Sequence, residues 1–189
     1  MTNYSRTTLR ELKKRYLNIL KKCLLANLVL FNFFNYAYGT TITSRFEHSE
    51  DEQIIYDEET IFADTRSGNG TYGGAVSNTG RGSILFNKSV TFTNNKGVNR
   101  GGAIYQTTGN ITFNGEVIFY DNNASWSGGA IYQEYNKIIF NNIVKFSNNT
   151  ASQGGAIRQR VESLTSTGVI DYAMIFNKNT IFTTNKSSV

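Results

Sequence analysis

Residues 101–122 read GGAIYQTTGNITFNGEVIFYDN, and both halves of this stretch recur along the chain. The tetrapeptide Gly-Gly-Ala-Ile, or its variant ending in Val, begins four times, at intervals of 28, 27 and 26 residues. Its copies alternate with the string Phe-x-x-Asn. Self-similarity at a nearly constant period of this length is typical of repeat architectures, in which each unit stacks on its neighbours. The motif residues are Gly73, Gly74, Ala75, Val76, Phe92, Asn95, Gly101, Gly102, Ala103, Ile104, Phe119, Asn122, Gly128, Gly129, Ala130, Ile131, Phe146, Asn149, Gly154, Gly155, Ala156, Ile157, Phe182 and Asn185.

Each repeat contains three short apolar strings. Two of them, Ile-x-Phe and Val-x-Phe in most copies, belong to a twelve-residue unit that occurs at residues 54–65, 84–95, 111–122, 138–149 and 174–185. Their alternating apolar residues indicate strands with one buried face. The polar corner between them, and the asparagine that follows, suit turns with left-handed backbone. The Gly-Gly pair permits tight backbone geometry, and Ala-Ile or Ala-Val then starts a third strand.

Three strands and three corners in one repeat predict one coil of a right-handed parallel β-helix, with about five coils over residues 54–189. Successive coils would stack about 4.8 Å apart and place Phe over Phe, Ile over Ile and Asn over Asn. We expect the Ile or Val of each tetrapeptide to point inward and the residue after it to point outward. The extra residues around Arg158–Tyr172 would loop out of the stack.

Residues 1–39 have the composition of a secretory signal peptide. A basic stretch, which a capping box at Thr8–Glu11 would allow to enter a helix, precedes the apolar run Cys23–Phe34. The small residues Ala37 and Gly39 then predict cleavage after Gly39. An uncleaved membrane anchor is the alternative, although the apolar run is shorter than the roughly 20 residues of a spanning helix. We expect an exported chain in which residues 40–53 form an acidic leader or cap.

Charge and composition exclude several functional classes. Residues 1–39 carry seven basic residues and one acidic residue, so a chain of net charge +5 has a net charge of −1 after Gly39. Nucleic-acid binding needs a basic face on the folded domain and is not expected here. The one cysteine is Cys23 and the one histidine is His48. A disulfide, a thiolate metal site or a histidine cluster is therefore excluded after residue 39.

The alternation of Gly-Gly-Ala-Ile/Val with Phe-x-x-Asn behind a signal peptide resembles the repeats of the chlamydial polymorphic outer membrane proteins. The resemblance covers about residues 54–185. It implies an autotransporter passenger, a surface-exposed or secreted β-helix whose repeats are associated with adhesion to host cells. Family members end in a transmembrane β-barrel, which needs far more chain than follows Phe182. The alternatives are a short secreted relative, a split or truncated gene with a missing C-terminal β-barrel, and a passenger that reaches the surface by other means.

Adhesion would require exposed side chains, whereas the motif residues are expected to be structural. The candidate contact surface consists of outward residues that offer large contact area at low entropic cost. It comprises Tyr105, Tyr132, Trp126 and Tyr135, together with Gln106 and Gln133. The expected partner is a host-cell surface receptor or glycan, and self-association through open coil ends is a further hypothesis.

A polysaccharide-active enzyme is the competing hypothesis, since parallel β-helices also carry lyases and hydrolases. Such enzymes need paired carboxylates or a calcium site. Glu116, Asp121 and Glu134 occupy different positions of the repeat, so stacking predicts no pair. The acidic residues between Glu47 and Glu59 lack the spacing of calcium loops and are expected to be solvated, with His48 exposed among them. No catalytic residue, metal or cofactor is predicted.

Overall fold

The computed structural model describes residues 39–68, 72–160 and 173–188. The predicted signal peptide, except for Gly39, lies outside the described residues, and the predicted loop is described only as far as Arg160. The part of the chain that the structure describes contains no helix long and apolar enough to cross a membrane.

Short parallel strands form a β-solenoid. The described residues contain β1 (Thr40–Ile42), β2 (Phe46–His48), β3 (Ile54–Tyr56), β4 (Thr60–Ala63), β5 (Val76–Asn78), β6 (Ile84–Phe86), β7 (Val90–Thr93), β8 (Lys96–Gly97), β9 (Ile104–Gln106), β10 (Ile111–Phe113), β11 (Val117–Tyr120), β12 (Asn123–Ala124), β13 (Ile131–Gln133), β14 (Lys137–Phe140), β15 (Val144–Ser147), β16 (Thr150–Ala151), β17 (Ile157–Gln159), β18 (Ala173–Phe176), β19 (Thr180–Thr183) and β20 (Lys186–Ser187).

Four parallel sheets form the faces of the solenoid. The tetrapeptide sheet has the order β2-β5-β9-β13-β17, and the first Phe sheet has the order β3-β6-β10-β14-β18. The second Phe sheet is β1-β4-β7-β11-β15-β19, and the corner sheet is β8-β12-β16-β20. The five strands of the first Phe sheet correspond to the five copies of the twelve-residue unit, so the solenoid prediction is confirmed.

The sequence predicted three strands in each coil, whereas the structure has four sheets because the corner sheet adds a short strand. Its two-residue strands follow the asparagine of each Phe-x-x-Asn string, and Asn123 pairs with Lys96 on one side and with Thr150 on the other. Strands this short have no apolar alternation that a sequence could reveal.

The register matches like residues in adjacent coils. Ile111 pairs with Ile84 and Ile138, and Phe119 pairs with Phe92 and Phe146. The predicted stacking of equivalent residues is therefore confirmed at the level of single Cα partners.

Two strands lie within residues 40–53, which the sequence assigned to an acidic leader. Strand β1 pairs with β4, and Phe46 in β2 pairs with Val76 in β5. Because Ile42 and Phe46 pack against the apolar core, this segment is part of the solenoid. His48 is buried and stacks near Phe46 with ring centroids 6.3 Å apart. The prediction that His48 is exposed is wrong, because it faces inward at the end of β2.

Two columns of aromatic rings fill the interior. Phe92, Phe119 and Phe146 stack face to face at 4.9 and 4.8 Å. Phe86, Phe113 and Phe140 form the second column with 4.9 Å spacings. The columns meet edge to face, an arrangement that favours aromatic pairs beyond the area they bury. In the described chain nothing stacks on the last coil, where the side chain of Phe182 is 54% exposed.

Left-handed backbone occurs one residue earlier than the sequence suggested. Asn94, Asp121, Asn148 and Thr184 have φ between 52 and 55°, whereas the following Phe-x-x-Asn asparagines do not. The polar corner between the Phe strands, such as Asn114-Gly115, also turns without positive φ. Turning the chain at Asp121 directs Asn122 into the interior, where it is fully buried.

The Gly-Gly pair has two separate roles. The first glycine is left-handed, as at Gly101 with φ of 67°. The second lies against the next coil, since a Cβ at Gly102 would be 1.9 Å from the carbonyl oxygen of Gly129. Glycine is required at the first position for the left-handed backbone and at the second for the close approach of the coils.

Candidate functional site

The outer face of the tetrapeptide sheet carries the residues that sequence reasoning chose as a contact surface. Tyr105 and Tyr132 are Cα partners in adjacent strands, and Arg158 follows in the next strand. The tyrosine rings stack with centroids 5.6 Å apart, and Tyr72 stacks on Tyr105 at 4.6 Å. The exposed fractions of Tyr105 and Tyr132 are only 6% and 2%. The prediction that both are exposed is wrong, because neighbouring side chains cover this face.

Arg100 is the centre of the covering group. It directly precedes the left-handed Gly101, and the equivalent positions in the next coils hold Ser127 and Gln153. Isolated parallel bridges join Arg100 to Ser127 and Ser127 to Gln153. Its guanidinium carbon lies 4.8 Å from the ring centre of Trp126 and 4.9 Å from that of Tyr132. Guanidinium groups bind aromatic rings at such distances through the ring quadrupole.

Glu134, which directly follows β13, forms an ion pair with the Arg100 guanidinium. Its Oε1 atom accepts a 3.1 Å hydrogen bond from Nη1 of Arg100 and a 3.2 Å hydrogen bond from the Tyr132 hydroxyl. Nη1 of Arg160 lies 3.9 Å from the same oxygen. Because Arg100 and Glu134 are largely buried, the pair is less screened by salt than a surface ion pair.

The tyrosines of this cluster have raised pKa values. Burial raises the pKa of Tyr105 to about 12, and the negative charge of Glu134 acts in the same direction. Burial, followed by Glu134, also raises the pKa of Tyr132. Both phenols therefore remain protonated at neutral pH, and Tyr132 is a hydrogen-bond donor to Glu134.

A pocket of about 230 Å³ opens beside this cluster. Trp126 stands at its side with 48% of its surface exposed. The exposed residues Arg158 and Arg160 come from β17 and the residue after it. The lining comprises Arg100, Trp126, Ser127, Tyr132, Gln153, Arg158 and Arg160. Three arginines with one nearby carboxylate make this pocket, the arginine pocket, electropositive.

The remaining candidate contact residues are not all accessible. Gln106 and Gln133 are fully buried, and the Nε2 atom of Gln133 donates a 2.8 Å hydrogen bond to the carbonyl oxygen of Asn136. Tyr135 is half-buried. The Phe and Asn motif residues of the inner coils are buried, so they are placed for packing and not for contact with a partner.

A second depression, of about 420 Å³, lies on the corner sheet. Small and polar residues line it, and Lys186 is its one charged lining residue. Glu116 and Asp121 are exposed on other faces, apart from the arginine pocket lining. In residues 39–68, 72–160 and 173–188, no group of three or more His, Cys, Asp or Glu side chains could hold a metal ion. The arginine pocket is therefore the most specific chemical feature of the described surface.

The comparisons with known proteins bear on the repeat. A family model described as the Chlamydia polymorphic membrane protein (Chlamydia_PMP) repeat matches residues 89–107 and residues 116–134. Both segments resemble that repeat. Each match runs from one Phe-x-x-Asn string through the next tetrapeptide, which includes the glycine turn and the strand that carries Tyr105 or Tyr132. No curated protein and no solved structure matches the chain. The repeat and the β-solenoid together fit a passenger-like surface protein.

Sequence reasoning found Trp126 and the two tyrosines but missed Arg100 and Glu134 as their partners. The available signal was the residue before each Gly-Gly pair, which is Tyr72, Arg100, Ser127 or Gln153. This position changes from coil to coil while its neighbours repeat. A varying position within a regular solenoid marks the surface where copies differ chemically.

Proposed function

We propose that the chain is an exported, non-catalytic adhesive module that presents the arginine pocket and Trp126 on a solenoid at the cell surface. The observation that carries this proposal is the exposed Trp126 beside an electropositive pocket, within a repeat that resembles those of Chlamydia polymorphic membrane proteins. Tryptophan and arginine are the residues most enriched at the energetic centres of protein interfaces. A stacked solenoid supplies a rigid base for them.

Export is part of the proposal. The order of basic, apolar and small residues in the first 39 positions supports cleavage after Gly39. N-terminal mass spectrometry of the exported chain should find Thr40 as the first residue. A retained basic segment in exported material would contradict cleavage and would favour the anchor.

Adhesion is tested by binding of the fluorescently labelled full chain to cultured epithelial cells. We expect saturable binding that weakens about thirtyfold or more in Trp126→Ala, because a central aromatic anchor contributes about 2 kcal/mol or more. Tyr120→Ala is the matched control, since Tyr120 is similarly exposed on a different sheet. Equal loss in both variants, or no saturable binding by the unmodified chain, would contradict the proposed adhesive role.

The same preparation distinguishes the enzymatic alternative. Incubation with a panel of polysaccharides should release neither reducing ends nor unsaturated sugars. Release of sugar products that a single Glu or Asp substitution abolishes would contradict the adhesive proposal and would indicate an enzyme.

A further inference from the structure

We infer that internal water binds between the side chains of His48, Asn78 and Gln106, in the interior of the first coils. These residues end the strands β2, β5 and β9, which are neighbours in the tetrapeptide sheet, and each is the Cα partner of the next. All three are buried, with exposed fractions of 3% for His48 and 0% for the two amide residues. These three side chains form the amide site, which is closed to solvent and separate from the arginine pocket.

The amide site contains polar atoms that have no hydrogen-bond partner. They are Nε2 of His48, Nδ2 and Oδ1 of Asn78, and Oε1 of Gln106. In the part of the chain that the structure describes, every buried side-chain nitrogen or oxygen without a partner belongs to this site. Exchanging the two amide atoms of Asn78 would not pair them, since both are unpartnered. Because buried polar groups are almost always hydrogen-bonded, their concentration in one place indicates a bound polar molecule.

The same column of side chains is paired with the protein further along the solenoid. Nε2 of Gln106 donates a 2.5 Å hydrogen bond to the carbonyl oxygen of Gly109, in the turn that follows its strand. Nε2 of Gln133 donates a 2.8 Å hydrogen bond to the carbonyl oxygen of Asn136, in the equivalent turn of the next coil. Asn78 is one methylene shorter than glutamine and makes no bond to its own turn. The unpaired atoms therefore occur where the column changes from glutamine to shorter or different side chains.

The turns beside the amide site place no side chain into it. Gly82 and Gly109 occupy equivalent positions before β6 and β10. A Cβ at Gly82 would lie 2.6 Å from Nε2 of His48, and a Cβ at Gly109 would lie 3.1 Å from Nδ2 of Asn78. The turn from Asn78 to Gly82 is also one residue longer than the turn that follows Gln106. A shorter amide beside a longer turn without side chains leaves a small polar space of the kind that holds buried water.

The chemistry of the unpaired atoms favours water over a metal ion. Water both donates and accepts, so it can donate to Oδ1 of Asn78 and Oε1 of Gln106 and accept from Nδ2 of Asn78. Three such bonds are typical of a buried water molecule. The four unpaired atoms belong to two amides and one imidazole and include no carboxylate or thiolate. Metal sites in proteins usually combine several imidazole, thiolate or carboxylate ligands.

Bound water can be detected by NMR of the isotope-labelled full chain. We expect a nuclear Overhauser cross-peak between the water resonance and the side-chain amide protons of Asn78, with the sign that long-lived water gives. Asn122 is the matched control, because it is equally buried and its amide donates within the protein to Asn149 and to the carbonyl oxygen of Phe92. Its side-chain amide should show no cross-peak with water.

A longer side chain should displace the water. In Asn78→Gln the added methylene should bring the amide within reach of the carbonyl oxygen of its own turn, as in Gln106. We expect the water cross-peak at the amide protons of Gln106 to be lost, and the melting temperature to be unchanged or higher. Asn123→Gln is the control variant, since Asn123 is exposed on the corner sheet. It should leave the cross-peak unchanged.

Three outcomes would overturn the inference. They are no water cross-peak at Asn78 in the unmodified chain, cross-peaks of equal intensity at Asn78 and Asn122, and an unchanged cross-peak at Gln106 in a folded Asn78→Gln variant. A crystal structure of the full chain gives an independent measurement. We expect ordered water about 2.7–3.2 Å from the amide atoms. A density peak about 2.0–2.1 Å from Nε2 of His48 would instead indicate a metal ion and would contradict the inference.

Discussion

Asn122 and Asn149 lie in adjacent coils, and the side-chain amide of the first donates a 2.9 Å hydrogen bond to the side-chain oxygen of the second. The same amide donates to the carbonyl oxygen of Phe92, and its oxygen accepts two hydrogen bonds from Asn95. Each buried asparagine thus satisfies backbone and side-chain groups of its neighbours, and the ladder continues to Asn185. A polar column inside an apolar solenoid is tolerated because its groups are paired.

Replacement of a ladder asparagine should be strongly destabilising. Asn122→Ala leaves buried groups of Asn95, Asn149 and Phe92 without their partner, and unpaired buried groups cost about 1–3 kcal/mol each. We expect the free energy of unfolding in urea to fall by about 3 kcal/mol or more. The control is Asn123→Ala, since Asn123 is exposed and its loss should cost less than about 1 kcal/mol. Equal effects would show that the ladder carries no special stability.

The contribution of a stacked phenylalanine to the free energy of unfolding should depend on its position in the column. Phe119 is fully buried between Phe92 and Phe146, so Phe119→Ala creates a cavity and should cost about 3–5 kcal/mol. Phe182 occupies the equivalent place in the last coil and is half exposed. Phe182→Ala should cost about 1 kcal/mol, because less apolar surface is lost. Thermal and urea unfolding measure both changes. A larger loss for Phe182 would mean that the end of the solenoid is covered in solution.

The second glycine of the Gly-Gly pair should not tolerate replacement by a residue with a Cβ atom. In Gly102→Ala the new Cβ would overlap the backbone oxygen of Gly129. Two coils must then separate and lose ladder hydrogen bonds, so we expect more than about 3 kcal/mol of destabilisation or failure to fold. Ser125→Ala, at an exposed position of the same coil, should be nearly neutral. Normal melting of Gly102→Ala would contradict the close packing of the coils.

Alkaline pH should unfold the chain through its buried tyrosines. The pKa of Tyr105 is raised to about 12 from an ordinary value of 10, mainly by burial. The folded state therefore favours the protonated phenol, so stability is fully present below pH 10 and falls as pH rises toward 12. Tyr105→Phe keeps the ring and removes this ionisation. Urea unfolding at pH 9 and at pH 11 should show a smaller decrease for the variant. An identical decrease would mean that Tyr105 ionises normally in the fold.

The strands and their stacking were predictable because apolar alternation and repeat period are local properties of a sequence. Ile111, Phe113 and Phe119 mark inward positions, and the constant spacing requires that their equivalents lie above one another. The two-residue strand Asn123–Ala124 was not predictable, since it has no apolar pattern. The left-handed residue is Asp121, one position before the predicted Asn122. The sequence could not distinguish them because Asp and Asn both tolerate positive φ, and only packing decides between them.

By itself the sequence determined the solenoid, its period and the buried identity of its phenylalanines. Whether an outward side chain is exposed was decided only by tertiary structure. Tyr105 and Tyr132 point away from the core and are nevertheless buried, because Tyr72 stacks on Tyr105 and Arg100 lies over Tyr132. Trp126 remains accessible. The physical reason is that strand alternation fixes the direction of a side chain, whereas exposure depends on contacts between coils about 27 residues apart.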